Sequence, residues 1–198
     1  MVVVILFSVL LAQTGFANQK QEPVQVKKCV MCHETDGGSS SDDTVPKIAG
    51  LGDTYFRKAM SSFLKKKRKE PTASMMYKVI SPSTSDADLD IIVDYFSHQE
   101  PVPAPVADPA LAAKGKIIYD EGLPAKGIIA CAACHGDRGD ANFSIPRIAG
   151  QNISYQLTQF DAFTQQTRKD VDSKMMARMI LNLSTDELTA LAHYINTL

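Results

Sequence analysis

The chain has no tryptophan, only four cysteines and four histidines, and no surplus of either charge. Its 21 Lys and Arg against 22 Asp and Glu leave a formal net charge of −1. That balance lacks the broad positive field of a nucleic-acid binder, so nucleic acid is not an expected partner. The sequence also lacks an apolar run of the ~20 residues needed to cross a bilayer. Its most apolar stretch, Val2 to Ala12, is followed by Gln13-Thr14-Gly15-Phe16-Ala17 and a polar segment from Asn18. With small residues at Gly15 and Ala17, this pattern reads as a signal peptide over residues 1–17, although basic residues are missing before the apolar core. The expected location is therefore the periplasm, with membrane association at most peripheral. The remainder, within a chain 44% hydrophobic and 22% charged, has an ordinary globular composition.

No cysteine is left over for a disulfide framework, the usual use of cysteine in exported proteins. All four fall in two pentads, Cys29-Val30-Met31-Cys32-His33 and Cys131-Ala132-Ala133-Cys134-His135. A zinc site needs four ligands, and one pentad offers three crowded ones. A thioredoxin-type dithiol gives the following His no role. Covalent haem attachment uses every residue of the pattern. Two cysteines about one helical turn apart reach the porphyrin vinyl groups, and the adjacent His is brought under the iron. Cys29, Cys32, Cys131 and Cys134 are thus the expected attachment residues of two haem c groups, with His33 and His135 as iron ligands.

The chain repeats itself at an offset of 100 residues. Pro46-Lys47-Ile48-Ala49-Gly50 matches Pro146-Arg147-Ile148-Ala149-Gly150, Tyr55 matches Tyr155, and Phe63 matches Phe163. Arg68-Lys69 meets Arg168-Lys169, and Met75-Met76 meets Met175-Met176. Between the copies, residues 100–109 carry alternating prolines, which cannot continue a helix and favour an extended, stiff connector. The expected division is a first domain over 18–99, a linker over 100–109 and a second domain over 110–198. Apolar stripes at helical spacing mark Leu89, Ile92, Val93 and Phe96, and again Leu188, Leu191, Ala192 and Ile195. Ser184 with Glu187 forms a capping-box pattern, Ser85 with Asp88 a weaker one, and Asn152 stands where an N-cap is expected. Strand alternation is missing, so the fold class is all-α. Halves this small are marginal on apolar burial alone, so a buried haem is expected to complete each core.

A sixth iron ligand remains to be found. Methionine often serves as flexible core filler. Here a Met pair recurs in register with the haem motif, which favours ligation, and Met/His coordination suits electron transfer. The pentad, the Pro-x-Ile-Ala-Gly segment and the Met before a Leu-Ser-type capped helix resemble class I cytochromes c. The tandem arrangement resembles the dihaem cytochrome c4 family over nearly the whole mature chain. The resemblance implies two tandem class I cytochrome c domains, each wrapped around its haem. It places the distal ligand on Met176, before Leu183-Ser184; the repeat then favours Met76 over Met75. It also implies that the carbonyls of Pro46 and Pro146 orient His33 and His135. The second half has the Gly115 and Tyr119 of the family's opening helix. The first has no matching glycine before its pentad, and Glu34 stands where the second half has Gly136. A short opening helix and a more exposed first haem are expected.

Lys65-Lys66-Lys67-Arg68-Lys69 is the densest charge run; a solvated helix end is the plainer reading and a docking patch the sharper one. His98 and His193 do not correspond between the halves and read as surface residues. Tyr95 and Tyr194 do correspond, and are expected to pack on the opening helix or haem edge. With both iron positions filled, the expected function is one-electron transfer in a respiratory chain, between redox proteins and a membrane oxidase or similar acceptor, without enzymatic activity of its own. The rival reading is a cytochrome subunit of a larger enzyme such as flavocytochrome c sulfide dehydrogenase.

Overall fold

Side-chain caps set where three of the helices begin. In this computed structural model, which describes residues 22–80, 83–104, 108–141, 143–170 and 173–198, nine α-helices are present among the described residues. They are α1 (Lys27–His33), α2 (Asp53–Leu64), α3 (Ala73–Val79), α4 (Asp86–Ser97), α5 (Pro109–Glu121), α6 (Ala132–His135), α7 (Ile153–Thr164), α8 (Ser173–Ile180) and α9 (Thr185–Thr197). Ser85 and Ser184 form full capping boxes with Asp88 and Glu187, so α4 and α9 start by the same device. Asp108 caps α5 by accepting from the amides of Ala110 and Leu111, and Pro109 is already its first residue. The helix therefore claims the end of the expected 100–109 linker. The expected signal peptide, residues 1–17, lies outside the described residues, as do linker residues 105–107. No described helix is long and apolar enough to cross a membrane.

Each half closes over its own core. Phe56 and Met60 of α2 meet Leu89, Ile92, Val93 and Phe96 of α4, with Val26 and Cys29 beside them. In the second half, Ile118 and Tyr119 of α5, Phe160 and Phe163 of α7, and Leu191 and Ile195 of α9 form the counterpart. The halves differ at their opening. The first has a 3₁₀ turn over Val24–Val26 and the two-turn α1, whereas the second has the 13-residue α5 packed along α9. That packing depends on Gly115, where an added Cβ would sit 2.0 Å from the Ala190 carbonyl oxygen. Tyr119 is fully buried there, edge-on to Tyr194 at 5.3 Å. Tyr194 thus packs on the opening helix as expected, while Tyr95 instead donates to the Thr35 carbonyl just after the pentad (2.9 Å).

The duplication is also a docking symmetry. Tyr55 N–H donates to the Phe143 carbonyl, and its repeat partner Tyr155 donates to Asp43. Lys69 N–H donates to Thr167, and Lys169 donates to Lys67, so Arg68 and Arg168 lie opposite each other in a one-bridge antiparallel ladder. Such reciprocity is the signature of a twofold contact, here between two halves of one chain. Two expectations are corrected at this seam. Asn152 occupies the N-cap position of α7 but makes no cap bond; its side chain is turned to the other half, where Nδ2 donates to the Val45 carbonyl (2.7 Å). Arg68 is not part of a solvated run. It is buried, paired with Glu70, stacked on the Phe63 ring and bonded to Gln159 across the seam (2.6 Å). Arg168 repeats the arrangement with Asp170 and Phe163, and shares the same Gln159 oxygen (2.8 Å). The linker is held as well: Lys47 Nζ donates to the carbonyls of Val102 and Pro103.

Candidate haem sites

Local backbone geometry delivers the pentads. α1 ends at His33 and α6 at His135, so in each case the imidazole is the last helical side chain. The chain then turns sharply through a residue with positive φ. In the second half this is Gly136 (φ 79°, ψ 158°), and in the first it is Glu34 (φ 60°, ψ 171°), a region that strongly favours glycine. The loops that follow bring a proline carbonyl back to each histidine. Nδ1 of His33 donates to Pro46 O at 3.0 Å, and Nδ1 of His135 to Pro146 O at 3.1 Å. A carbonyl can only accept, so each ring carries its proton on Nδ1 and leaves the Nε2 lone pair for a metal. Burial lowers the pKa of both imidazoles and favours that neutral form.

The cysteines suit thioether formation. Burial pushes the Cys29 and Cys131 thiols up to about 11, so a free thiolate is disfavoured there, whereas a thioether sulfur carries no charge. Cys32 is half-buried and Cys134 exposed, and none of the four is in a disulfide. The donor set fits haem c: two sulfurs, then an imidazole with fixed tautomer, beside an apolar core. The methionine pairs divide the same way in both halves. Met76 packs against the first core and Met176 against the second. Met75 and Met175 are 60% and 61% exposed. His98 is exposed and lies against the Asp94 carbonyl (2.8 Å), while His193 accepts from the Asp108 amide (3.0 Å).

Sequence reasoning missed a set of buried polar residues behind the sites. Gln151 exchanges two 2.9 Å hydrogen bonds with the Lys47 backbone, and Gln156 donates to Gln151 and Ala192. Gln159 accepts from both buried arginines. The clue was present, since glutamines at 156 and 159 replace apolar Phe56 and Ala59 of the repeat. Tyr119 O–H donates to the Gly136 carbonyl (2.6 Å) and so ties the opening helix to the residue after His135.

Two attachment pentads on a duplicated all-helical fold define a dihaem c-type cytochrome, an electron-transfer protein with two covalently bound haem c groups. The family profile described as cytochrome c matches residues 21–100, and that described as cytochrome c oxidase, cbb3-type, subunit III matches residues 110–195. Cytochrome c4 of Pseudomonas aeruginosa is 34% identical over 173 residues, covering 86% of this chain and 83% of that protein. The chain belongs to the cytochrome c4 family. The solved cytochrome c4 of Acidithiobacillus ferrooxidans superposes with a TM-score of 0.80 at 26% identity, covering 87% of this chain and 99% of that one. A thiosulfate dehydrogenase electron acceptor from Stutzerimonas stutzeri is 30% identical over 176 residues, covering 84% of this chain and 76% of that protein.

Proposed function

We propose that this protein is a periplasmic one-electron carrier of a respiratory chain, with both irons held six-coordinate by His33 and Met76 and by His135 and Met176. In this reading Cys29, Cys32, Cys131 and Cys134 anchor the porphyrins, residues 1–17 direct export, and 18–99 and 110–198 are the two haem domains. The observation that carries it is the matched packing of the half-buried Met76 and Met176 against their cores, while their neighbours Met75 and Met175 face solvent. When bound, each haem supplies a one-electron iron couple, and Met/His ligation places its potential in the high range of such couples.

The chain's contribution is positional. The Pro46 and Pro146 carbonyls hold the imidazoles in one tautomer, and the apolar clusters beside them would shield a bound haem from water. With His33 and Met76 holding one iron, and His135 and Met176 the other, neither site would keep an open position for a substrate. The decisive test is carbon monoxide binding to the reduced native protein. Slow, sub-stoichiometric binding is expected; rapid binding at either haem would reveal an open position and overturn the carrier reading.

A second reading, service to one dedicated dehydrogenase, draws on the similarity to the Stutzerimonas stutzeri thiosulfate dehydrogenase electron acceptor. Reduction by a thiosulfate dehydrogenase at rates far above those with quinol-linked donors would favour it. The flavocytochrome c subunit reading has the same form, and co-purification with a flavoprotein tests it.

A further inference from the structure

The repeat makes differences between the halves informative, and one of them is a face of charge. One side of α2 borders an open groove of about 480 Å³ whose lining includes Arg57, Lys58, Lys65 and Lys67. The repeat positions in the second half are Leu157, Thr158, Gln165 and Thr167, so none of the four cations has a counterpart. With Arg68 turned into the seam, the rest of the basic run is left pointing outward, and Lys65, Lys66 and Lys67 are exposed. Two carboxylates also line the groove, but Asp170 is bound to Arg168, and Asp53 stands at the first turn of α2. Arg57 is paired with Asp90 of α4, which holds the guanidinium at the groove wall.

We propose that this groove is the docking surface for an acidic redox protein, whose carboxylates lie along α2, so that such a partner meets the first domain by charge. This rests on the carrier reading above. Three observations select that occupant. The sign of the lining is complementary to carboxylates, and charge complementarity governs encounter rate and orientation. The groove follows the 12-residue α2 for about 18 Å, the reach of a protein surface segment and more than a single oxyanion spans. Its lining residues are all Asp, Thr, Arg, Lys or Ser, so it presents no apolar side chain for insertion at a bilayer surface.

The test uses the full-length dihaem protein with fully reduced flavodoxin as an acidic protein reductant and a neutral free-flavin semiquinone as control. One variant gives the first half the residues of the second: Arg57→Leu, Lys58→Thr, Lys65→Gln and Lys67→Thr. A milder one carries Lys65→Gln and Lys67→Thr alone. A charge-matched control carries Lys114→Gln, Arg138→Gln, Lys174→Gln and Arg178→Gln in the second domain. At low ionic strength the flavodoxin rate is expected to fall at least tenfold in the fourfold groove variant and severalfold in the milder one. It should change less than twofold in the control, and the wild-type rate should lose its advantage as salt rises. Equal losses in groove and control variants would reduce the effect to net charge and overturn the proposal. So would groove-dependent sedimentation with phosphatidylglycerol vesicles while flavodoxin rates stay equal, because the occupant would then be a membrane. Unchanged free-flavin rates in the variants show that the carrier itself is intact; failure of the wild-type protein to take electrons from either reductant would count against the carrier reading instead.

Discussion

Replacing Gly115 by alanine tests the packing account by the sign of its effect. In a solvent-exposed helix this change stabilises by up to about 1 kcal/mol, because alanine has the higher helix propensity. Here the added Cβ would lie 2.0 Å from the Ala190 carbonyl oxygen, 2.6 Å from its carbon and 2.8 Å from Tyr194 Cβ, all well inside ordinary contact. The obstruction is mostly backbone, so no rotamer change relieves it and α5 must move away from α9. Overpacking of this kind costs about 1–3 kcal/mol. Separation also loosens Tyr119 against Tyr194 and its bond to Gly136. The cost at the upper end of that range exceeds the propensity gain, and the net expectation is a loss of about 2 kcal/mol. For a half of this size that corresponds to roughly 10 °C in the melting of the second domain. Thermal unfolding followed by haem absorption, with calorimetry to separate the two halves, reads the effect. A variant as stable as the native protein, or more so, would refute a close α5–α9 crossing.

The remaining predictions concern the first half and the seam. Glu34→Gly should stabilise the first domain by about 1 kcal/mol in urea unfolding, since Glu34 holds a φ of 60° that its counterpart Gly136 adopts without strain; an unchanged midpoint would contradict this. Arg68→Met leaves Glu70 buried without its ion partner and should cost about 3–5 kcal/mol, whereas Arg68→Met with Glu70→Leu should recover most of the loss. Equal destabilisation of the single and double variants would show that the arginine's bond to Gln159, and not the ion pair, holds the seam.

Local chemistry was legible in the sequence; the arrangement of the two halves was not. The capping boxes at Ser85 and Ser184 and the stripes Leu89 to Phe96 and Leu188 to Ile195 each depend on residues within two turns. The short opening of the first half followed from the residues missing before Cys29. Arg68 was misread because a run of five cations usually faces water, and burial of one member needs Glu70, Phe63 and a glutamine 91 residues away. Asn152 failed for a related reason. Its position at the start of α7 was right, but its side chain is turned to the Val45 carbonyl of the other half, to which its Nδ2 donates. Both errors lie where the halves meet, and contacts across that distance leave no periodic trace in a single sequence. The repeat itself was visible, yet its conversion into reciprocal hydrogen bonds required the fold.

The central claim is that each iron is closed by a histidine and a methionine of this chain. The most direct measurement is the Met-to-iron charge-transfer absorption of the oxidised protein, quantified per haem. The native protein should show two equivalents, Met76→Ala and Met176→Ala one each, and the double variant none. Met75→Ala and Met175→Ala should keep both. Full absorption after loss of Met76 or Met176, or its loss with Met75 or Met175, would contradict the ligand assignment and the carrier function built on it.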